Sequence, residues 1–293
     1  MNIIFRTDLA LEAIEQEKTL PKGGVIEKEE IIGNVKFNKI EIISDTASKK
    51  IGKPKGNYYT AGIENFVYLC DDLEQEISAF SNCIENLIPK KGSVLVVGLG
   101  NKLITPDAIG PLCTEEIFAT AHIPKKVAEN FGFNQLREVY AIAPGVLGKT
   151  GFEAQEVIKS LINEKKISCV IAVDALAAKN INRLGNTIQM SDTGISPGSG
   201  VENARKELSE KTLNVPVISI GIPTVVDCYT LCEDLCGVSS KEIDTYSNKA
   251  ENMMVTPRDI DVLVKKGAKF IAMSINHALQ PQLTIEELSS LTA

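Results

Sequence analysis

Apolar and polar residues follow two different patterns along this chain, and the pattern changes once. Residues 8–18 and 71–88 place apolar side chains at helical spacing. Residues 24–62 instead contain short alternating stretches that are typical of strands. Asp8 stands where the N-cap of the first helix is expected. The sequence therefore predicts an extension of strands and helices over residues 1–90.

From residue 91 onward, short apolar stretches alternate with longer amphipathic ones. The apolar stretches predict five strands, at 93–98, 138–143, 168–173, 185–190 and 215–221. The amphipathic stretches predict four helices, at 106–119, 153–164, 224–236 and 257–279. Several of the strands are apolar throughout, which is typical of a sheet covered by helices on both faces. We therefore predict a single α/β domain over 1–293: a mostly parallel, doubly wound sheet flanked by helices in 91–293, with 1–90 packed on it.

Two aspartates follow the most apolar of these strands. Asp107 comes shortly after the strand at 93–98, and Asp174 comes directly after the strand at 168–173. In an open α/β sheet, ligands and chemistry collect at the carboxyl ends of the strands. Two carboxylates held close together there can share one proton and activate a water molecule. Asp107 and Asp174 are therefore the candidate catalytic residues.

The surroundings of the two aspartates predict different protonation states. Pro106 suits the first turn of a helix, so Asp107 is expected near a helix N-terminus, where the positive end of the dipole favours a carboxylate. Asp174 has no basic residue after it until Lys179, and burial there would raise its pKa. We predict that Asp107 is the ionised member of the pair and Asp174 the protonated one.

Glycine-rich loops follow several of the predicted strands, and they are expected to crowd one edge of the sheet. Together they predict a cleft beside the two aspartates. Residues in these loops are the candidates for binding a substrate: Asn101, Gly145, Asp192, Gly198, Ser199 and Thr224.

Composition narrows the function classes. The formal net charge is −7, which does not suit direct binding of nucleic acid. No apolar segment is long enough to span a bilayer, and residues 1–20 are too polar for a signal peptide. The two histidines have no neighbours that suggest a triad, and the cysteines lack zinc-site spacing. We predict a cytoplasmic protein without a metal or another cofactor.

The motifs, taken in order, resemble those of the germination protease family of spore-forming bacteria. The matching stretches are residues 6–10, 97–101, 105–111, 143–146, 173–178, 187–195, 197–201, 221–227 and 254–257. They run almost from one end of the chain to the other, in a fixed order.

The resemblance implies an atypical aspartic endopeptidase that cuts small acid-soluble spore proteins early in germination. The two catalytic aspartates of the family fall on Asp107 and Asp174. The resemblance further implies a fold like that of the hydrogenase maturation proteases, a zymogen that trims its own N-terminus, a homotetramer, and a location in the forespore and spore core.

Two stretches depart from the family pattern, and two other functions stay open. Only five residues precede Arg6, fewer than the expected propeptide, and the region between Asp227 and Met254 is shorter than usual. One alternative function is a nickel-sensing maturation protease for a hydrogenase, because such proteins also carry the Gly-Leu-Gly-Asn sequence. The other is a non-enzymatic protein that holds a small ligand in the glycine-lined cleft.

Overall fold

A computed structural model describes residues 7–17, 21, 23–63, 73–124, 126, 136–198, 205–237 and 253–292. The candidate residue Ser199 lies outside the described residues. So do the segment before Arg6 and most of the stretch between Asp227 and Met254 that is shorter than in the family.

One mixed sheet organises the described part of the chain. Its strands are β1 (Val25–Ile32), β2 (Val35–Ile42), β3 (Gly56–Gly62), β4 (Val94–Gly98), β5 (Val139–Ile142), β6 (Cys169–Ala178), β7 (Thr187–Ser191), β8 (Val217–Asp227) and β9 (Met254–Val255). They are ordered β1-β2-β3-β7-β8-β6-β4-β5, and β9 pairs with β8. The strands β5, β4, β6 and β8 are parallel neighbours, whereas β7 and the N-terminal strands β1 to β3 extend the sheet in antiparallel pairs.

Helices lie on both faces of this sheet. Those of the described residues are α1 (Ala10–Glu15), α2 (Asp45–Ile51), α3 (Glu74–Leu87), α4 (Ile109–Glu115), α5 (Leu147–Thr150), α6 (Ala154–Lys165), α7 (Glu210–Leu213), α8 (Cys228–Cys236), α9 (Ile260–Leu279) and α10 (Ile285–Thr292). Two 3₁₀ turns, Thr105–Asp107 and Ile181–Arg183, come after β4 and β6 along the chain.

The parallel strands are buried on both faces, as their unbroken apolar runs predict. One large apolar cluster joins the sheet to α3, α4 and α9, and a second joins the opposite face to α6 and α7. A third cluster packs α1 and α2 against β2 and β3. The predicted α/β fold, with a helix-covered sheet and an N-terminal strand-and-helix extension, is confirmed.

Several predicted element bounds are wrong, and two of them bear on the site. β6 runs to Ala178 rather than ending at residue 173, and β8 runs to Asp227, so Thr224 is in a strand and not in a helix. The two strands pair with each other along this added length, and its side chains are mostly buried. Pairing and burial between distant segments therefore override the local helical spacing.

Candidate active site

Asp174 lies within β6, at the level where the neighbouring strand β4 has ended. Its side chain is 5% exposed, and its Oδ1 accepts a hydrogen bond of 2.9 Å from the backbone N–H of Ala175. Burial raises the pKa of the Asp174 carboxyl well above its usual value, and the negative charges of Asp107 and Asp8 raise it further. Asp174 therefore favours its protonated form.

Asp107 closes the 3₁₀ turn that comes after β4. Its Oδ2 accepts a hydrogen bond of 2.7 Å from the backbone N–H of Asn101. The backbone passes this close because Gly100 has φ +109° and no side chain: a Cβ there would collide with the Asp107 carbonyl oxygen. The short glycine turn after β4 thus holds the Asp107 carboxylate in place.

The two carboxyl groups are perturbed unequally. Burial raises the pKa of Asp107, but the N–H of Asn101 works in the opposite direction and stabilises the charged form. The sequence predicted that Asp174 is the protonated member of the pair and Asp107 the ionised one, and the pKa shifts of the two groups agree with this. The expected position of Asp107 agrees too, because it directly precedes Ala108, the N-cap residue of α4. The hydrogen bond from the N–H of Asn101 is a further stabilising contact that the sequence did not predict.

Both carboxyl groups line one cavity of about 350 Å³, which we call the larger cavity because it is the larger of the two that Asp174 lines. Its other walls are mostly apolar and include Leu99, Val146, Leu147, Val225 and Met254. A smaller cavity of about 160 Å³ shares Asp174 with it and has more polar walls, including Tyr58, Gln189, Ser191, Thr193 and Ser219. Asp174 therefore lies between two cavities of different character, an arrangement that suits an extended chain bound across the sheet edge.

Comparison with known proteins decides the family. The sequence model of the family described as germination protease matches residues 6–244 of this chain. The chain belongs to the germination protease family. A germination protease of Caldanaerobacter subterraneus subsp. tengcongensis is 39% identical over 317 residues, covering 98% of each chain. A germination protease of Clostridium perfringens is 36% identical over 318 residues, covering 97% of this chain and 98% of its own. Membership of the germination protease family indicates a peptidase with a role in spore germination.

Among solved structures, one similar chain is a hydrogenase maturation protease. This NiFe hydrogenase maturation protease, HycI, from Thermococcus kodakarensis is 17% identical, with a TM-score of 0.39. The match covers 67% of this chain and 98% of that one.

A third carboxylate of this germination protease family member lies beside the pair, and sequence reasoning missed it. Asp8 lines both cavities. It does not cap α1, since Leu9 occupies that position; instead its Oδ2 accepts a hydrogen bond of 2.9 Å from the N–H of Ala177. Nothing in the local sequence signals this contact, because its partner is 169 residues away.

Two long polar side chains hold the segment that carries Asp8 against the sheet. Lys53 Nζ donates hydrogen bonds of 3.0 Å to the carbonyl oxygens of Thr7 and Asp8. Gln189 accepts one of 2.7 Å from the N–H of Ala10 and donates one of 3.0 Å to the Asp8 carbonyl. Burial lowers the pKa of the Lys53 amine. The segment from Thr7 to Ala10 thus lies directly beside Asp174.

The structure brings only some of the candidate substrate-binding residues to the cavities. Gly145 lines the larger cavity and Gly198 lines both. The N–H of Asn101 serves Asp107. Asp192 is not among the residues that line the two cavities, and its two carboxylate oxygens accept hydrogen bonds of 2.8 and 2.7 Å from the backbone and side chain of Asn57. Thr224 is fully buried, so its hydroxyl does not face the cleft.

Metal-binding clusters and membrane-spanning helices are both missing from the described residues. Within them, no three His, Cys, Asp or Glu side chains are grouped as a metal ion would require. No helix among them is long and apolar enough to cross a membrane.

Proposed function

We propose that this chain is an aspartic endopeptidase that degrades small acid-soluble spore proteins during germination, with Asp107 and Asp174 as its catalytic pair. One observation carries the proposal: the carboxyl group of Asp174 in β6 and that of Asp107 in the turn after β4 line one cavity, and both have a raised pKa. Perturbed carboxyls that influence each other in a cleft are typical of acid–base catalysis. The resemblance to the germination protease family supports small acid-soluble spore proteins as the proposed substrates.

Each aspartate has a separate role in the proposed reaction. The Asp107 carboxylate takes a proton from a water molecule, whose oxygen attacks the carbonyl carbon of the scissile peptide bond. Protonated Asp174 donates a hydrogen bond to the carbonyl oxygen and stabilises the charge that develops there. As the C–N bond breaks, Asp174 gives its proton to the leaving nitrogen. The pair ends with one proton, as it began, and the two carboxyls titrate as a coupled unit.

The proposal extends to regulation and assembly. Self-trimming of the N-terminus is supported by the position of Thr7 to Ala10, a length of the chain's own backbone held beside Asp174. The homotetramer and the location in the forespore and spore core follow from the family resemblance.

The test is cleavage of a purified small acid-soluble spore protein by the wild-type chain and by Asp107→Asn, each with and without a chelator. We expect the wild type to cut equally well in both conditions and Asp107→Asn to be inactive. Asp227→Asn is a matched control, because Asp227 is also buried at the end of a strand but caps α8.

Three results would count against the proposal. Cleavage that the chelator abolishes would point to a metal-dependent enzyme. Cleavage by Asp107→Asn at the wild-type rate would remove Asp107 from the mechanism. No cleavage by the wild type, with saturable binding of a small ligand in its place, would favour a non-enzymatic protein.

A further inference from the structure

Thr224 occupies an irregular position in β8, next to the strand that carries Asp174. In the parallel pairing of β6 with β8, Leu176 lies opposite Pro223, and the next residue of β6, Ala177, lies opposite Val225. Thr224 is therefore the extra residue of a β-bulge. Bulges change the direction of a side chain and are common beside active sites.

The bulge directs the Thr224 hydroxyl at the turn that carries Asp107. Thr224 Oγ1 donates a hydrogen bond of 2.7 Å to the carbonyl oxygen of Pro106, the residue before Asp107. The Thr224 side chain is fully buried, whereas Pro106 is half-buried. Thr256, just after β9, donates a hydrogen bond of 2.8 Å to the carbonyl oxygen of Thr224 and supports the bulge from the other side.

Other hydrogen bonds of this turn are local. Within the described residues, Ile104 and Asp107 bond through their backbones to residues 101 and 104, and the Asp107 side chain bonds to Asn101. Such bonds fix the shape of the turn. Upstream of it, the N–H of Leu99 donates a hydrogen bond of 2.8 Å to the carbonyl oxygen of Val173 in β6 and places the start of the loop on the sheet. The bond from Thr224 is the one described hydrogen bond that joins residues 104–107 to another strand.

The same strand also sets the position of Asp174. Asp174 lies opposite Gly221 in the β6–β8 ladder, three residues before Thr224 along β8. We infer that Thr224 is a positioning residue. Its hydroxyl holds the turn of Asp107 on β8, and because Asp174 pairs with the same strand, the bond fixes the position of Asp107 relative to Asp174. This inference rests on the proposed catalytic pair and assigns Thr224 a role other than substrate binding.

The test compares Thr224→Val with Thr224→Ser. Valine keeps the shape of threonine but cannot donate a hydrogen bond, whereas serine keeps the hydroxyl and loses the methyl group. A misplacement of about 1 Å in a catalytic group can cost about 100-fold in rate. We therefore expect Thr224→Val to lower kcat by about 10- to 100-fold with little change in KM, and Thr224→Ser to retain most of the wild-type kcat.

A second readout separates positioning from general stability. Because the two carboxyls influence each other, a change in their separation should move the pH–rate profile of Thr224→Val, and Thr224→Ser should restore the profile. Thr60→Val is the matched control: Thr60 is a buried strand threonine whose hydroxyl has no hydrogen-bond partner among the described residues. Its kcat and profile should match the wild type.

Two results would overturn the inference. One is a wild-type kcat and pH–rate profile in Thr224→Val. The other is equal damage in Thr224→Val and Thr224→Ser, which would assign the effect to packing. If Thr224→Val does not fold, Thr256→Val is the deciding variant, because Thr256 is half-buried and its hydroxyl bonds to the carbonyl oxygen of Thr224 in the bulge. A lower kcat together with a displaced pH–rate profile in Thr256→Val supports the inference. A wild-type kcat and pH–rate profile in that variant overturn it.

The experiments distinguish a failure of the proposed function from a failure of this inference. If Asp107→Asn cleaves the spore protein at the wild-type rate, the catalytic pair itself is wrong. If Asp107→Asn is inactive and Thr224→Val is unaffected, the pair stands and only the role of Thr224 is lost.

Discussion

Asp174 lies directly opposite Gly221 in the parallel pairing of β6 with β8, and the two backbones leave no room for a side chain between them. A Cβ on Gly221 would come within 2.6 Å of the Asp174 carbonyl oxygen and within 2.7 Å of the Leu176 side chain. The absence of a side chain at Gly221 therefore sets how closely β8 approaches β6 at Asp174.

We predict that Gly221→Ala both destabilises the protein and lowers kcat. The added methyl group must push β6 away at Asp174, and overpacking of this kind costs about 1–3 kcal/mol. Gly148→Ala is the matched control, because a Cβ at Gly148 meets nothing within 4 Å. Urea unfolding and cleavage rates measured on both variants check the prediction, and equal stability of the two would contradict it.

The raised pKa of Asp174 makes stability depend on pH. The carboxyl of the unfolded chain loses its proton near pH 3.9, whereas folded Asp174 keeps its proton to a higher pH. Between these two values the folded state binds more protons than the unfolded state, so this group lowers the free energy of unfolding as pH rises. Below both values the effect of the group vanishes.

Asp174→Asn should therefore be more stable than the wild type at pH 7 and lose this advantage near pH 4. Asparagine keeps the oxygen that accepts from Ala175 but never carries the buried charge. Each kcal/mol gained raises Tm by about 2–4 °C in a large domain. Urea unfolding at pH 4, 5.5 and 7 tests this. The prediction is contradicted if Asp174→Asn is less stable than the wild type at pH 7 and its stability has the same pH dependence. Burial of the charged Asp174 carboxyl would then not destabilise the folded protein.

The sequence predicted β4, β6 and the meeting of Asp107 and Asp174 at one cavity, because unbroken apolar runs followed by small-residue turns are strong local signals. It did not predict the bulge at Thr224, since a bulge depends on the register between two strands about 50 residues apart in sequence. The position of Asp8 was missed for the same reason. Asp192 was assigned to the cleft from its loop, but its position depends on Asn57 in a distant strand.

Glu12 anchors the segment that carries Asp8. Its side chain is 2% exposed, and its carboxylate accepts hydrogen bonds of 2.7 and 2.9 Å from the N–H groups of Lys179 and Asn180. Thr7 donates its hydroxyl to the same carboxylate, and Arg183 lies 3.5 Å from it. Glu12 thereby joins α1 to the end of β6, the strand that contains Asp174.

Glu12→Ala should lower the free energy of unfolding by roughly 1–3 kcal/mol, because it leaves buried donors unpaired. Glu12→Gln keeps one acceptor oxygen and should cost less. Hydrogen exchange of the amides in residues 10–15 should be faster in Glu12→Ala than in the wild type. If urea unfolding and exchange are the same in both variants and the wild type, then Glu12 does not hold this segment.

The most direct measurement is kcat of Asp174→Asn on a purified small acid-soluble spore protein, beside Asp227→Asn and the wild type. Each variant replaces one buried aspartate of the sheet by asparagine, so a comparison of the two separates the loss of the Asp174 carboxyl from the effect of any such replacement on stability. The account predicts that Asp174→Asn folds but does not cleave, whereas Asp227→Asn cleaves at close to the wild-type rate. Cleavage by folded Asp174→Asn at the rate of Asp227→Asn would contradict it.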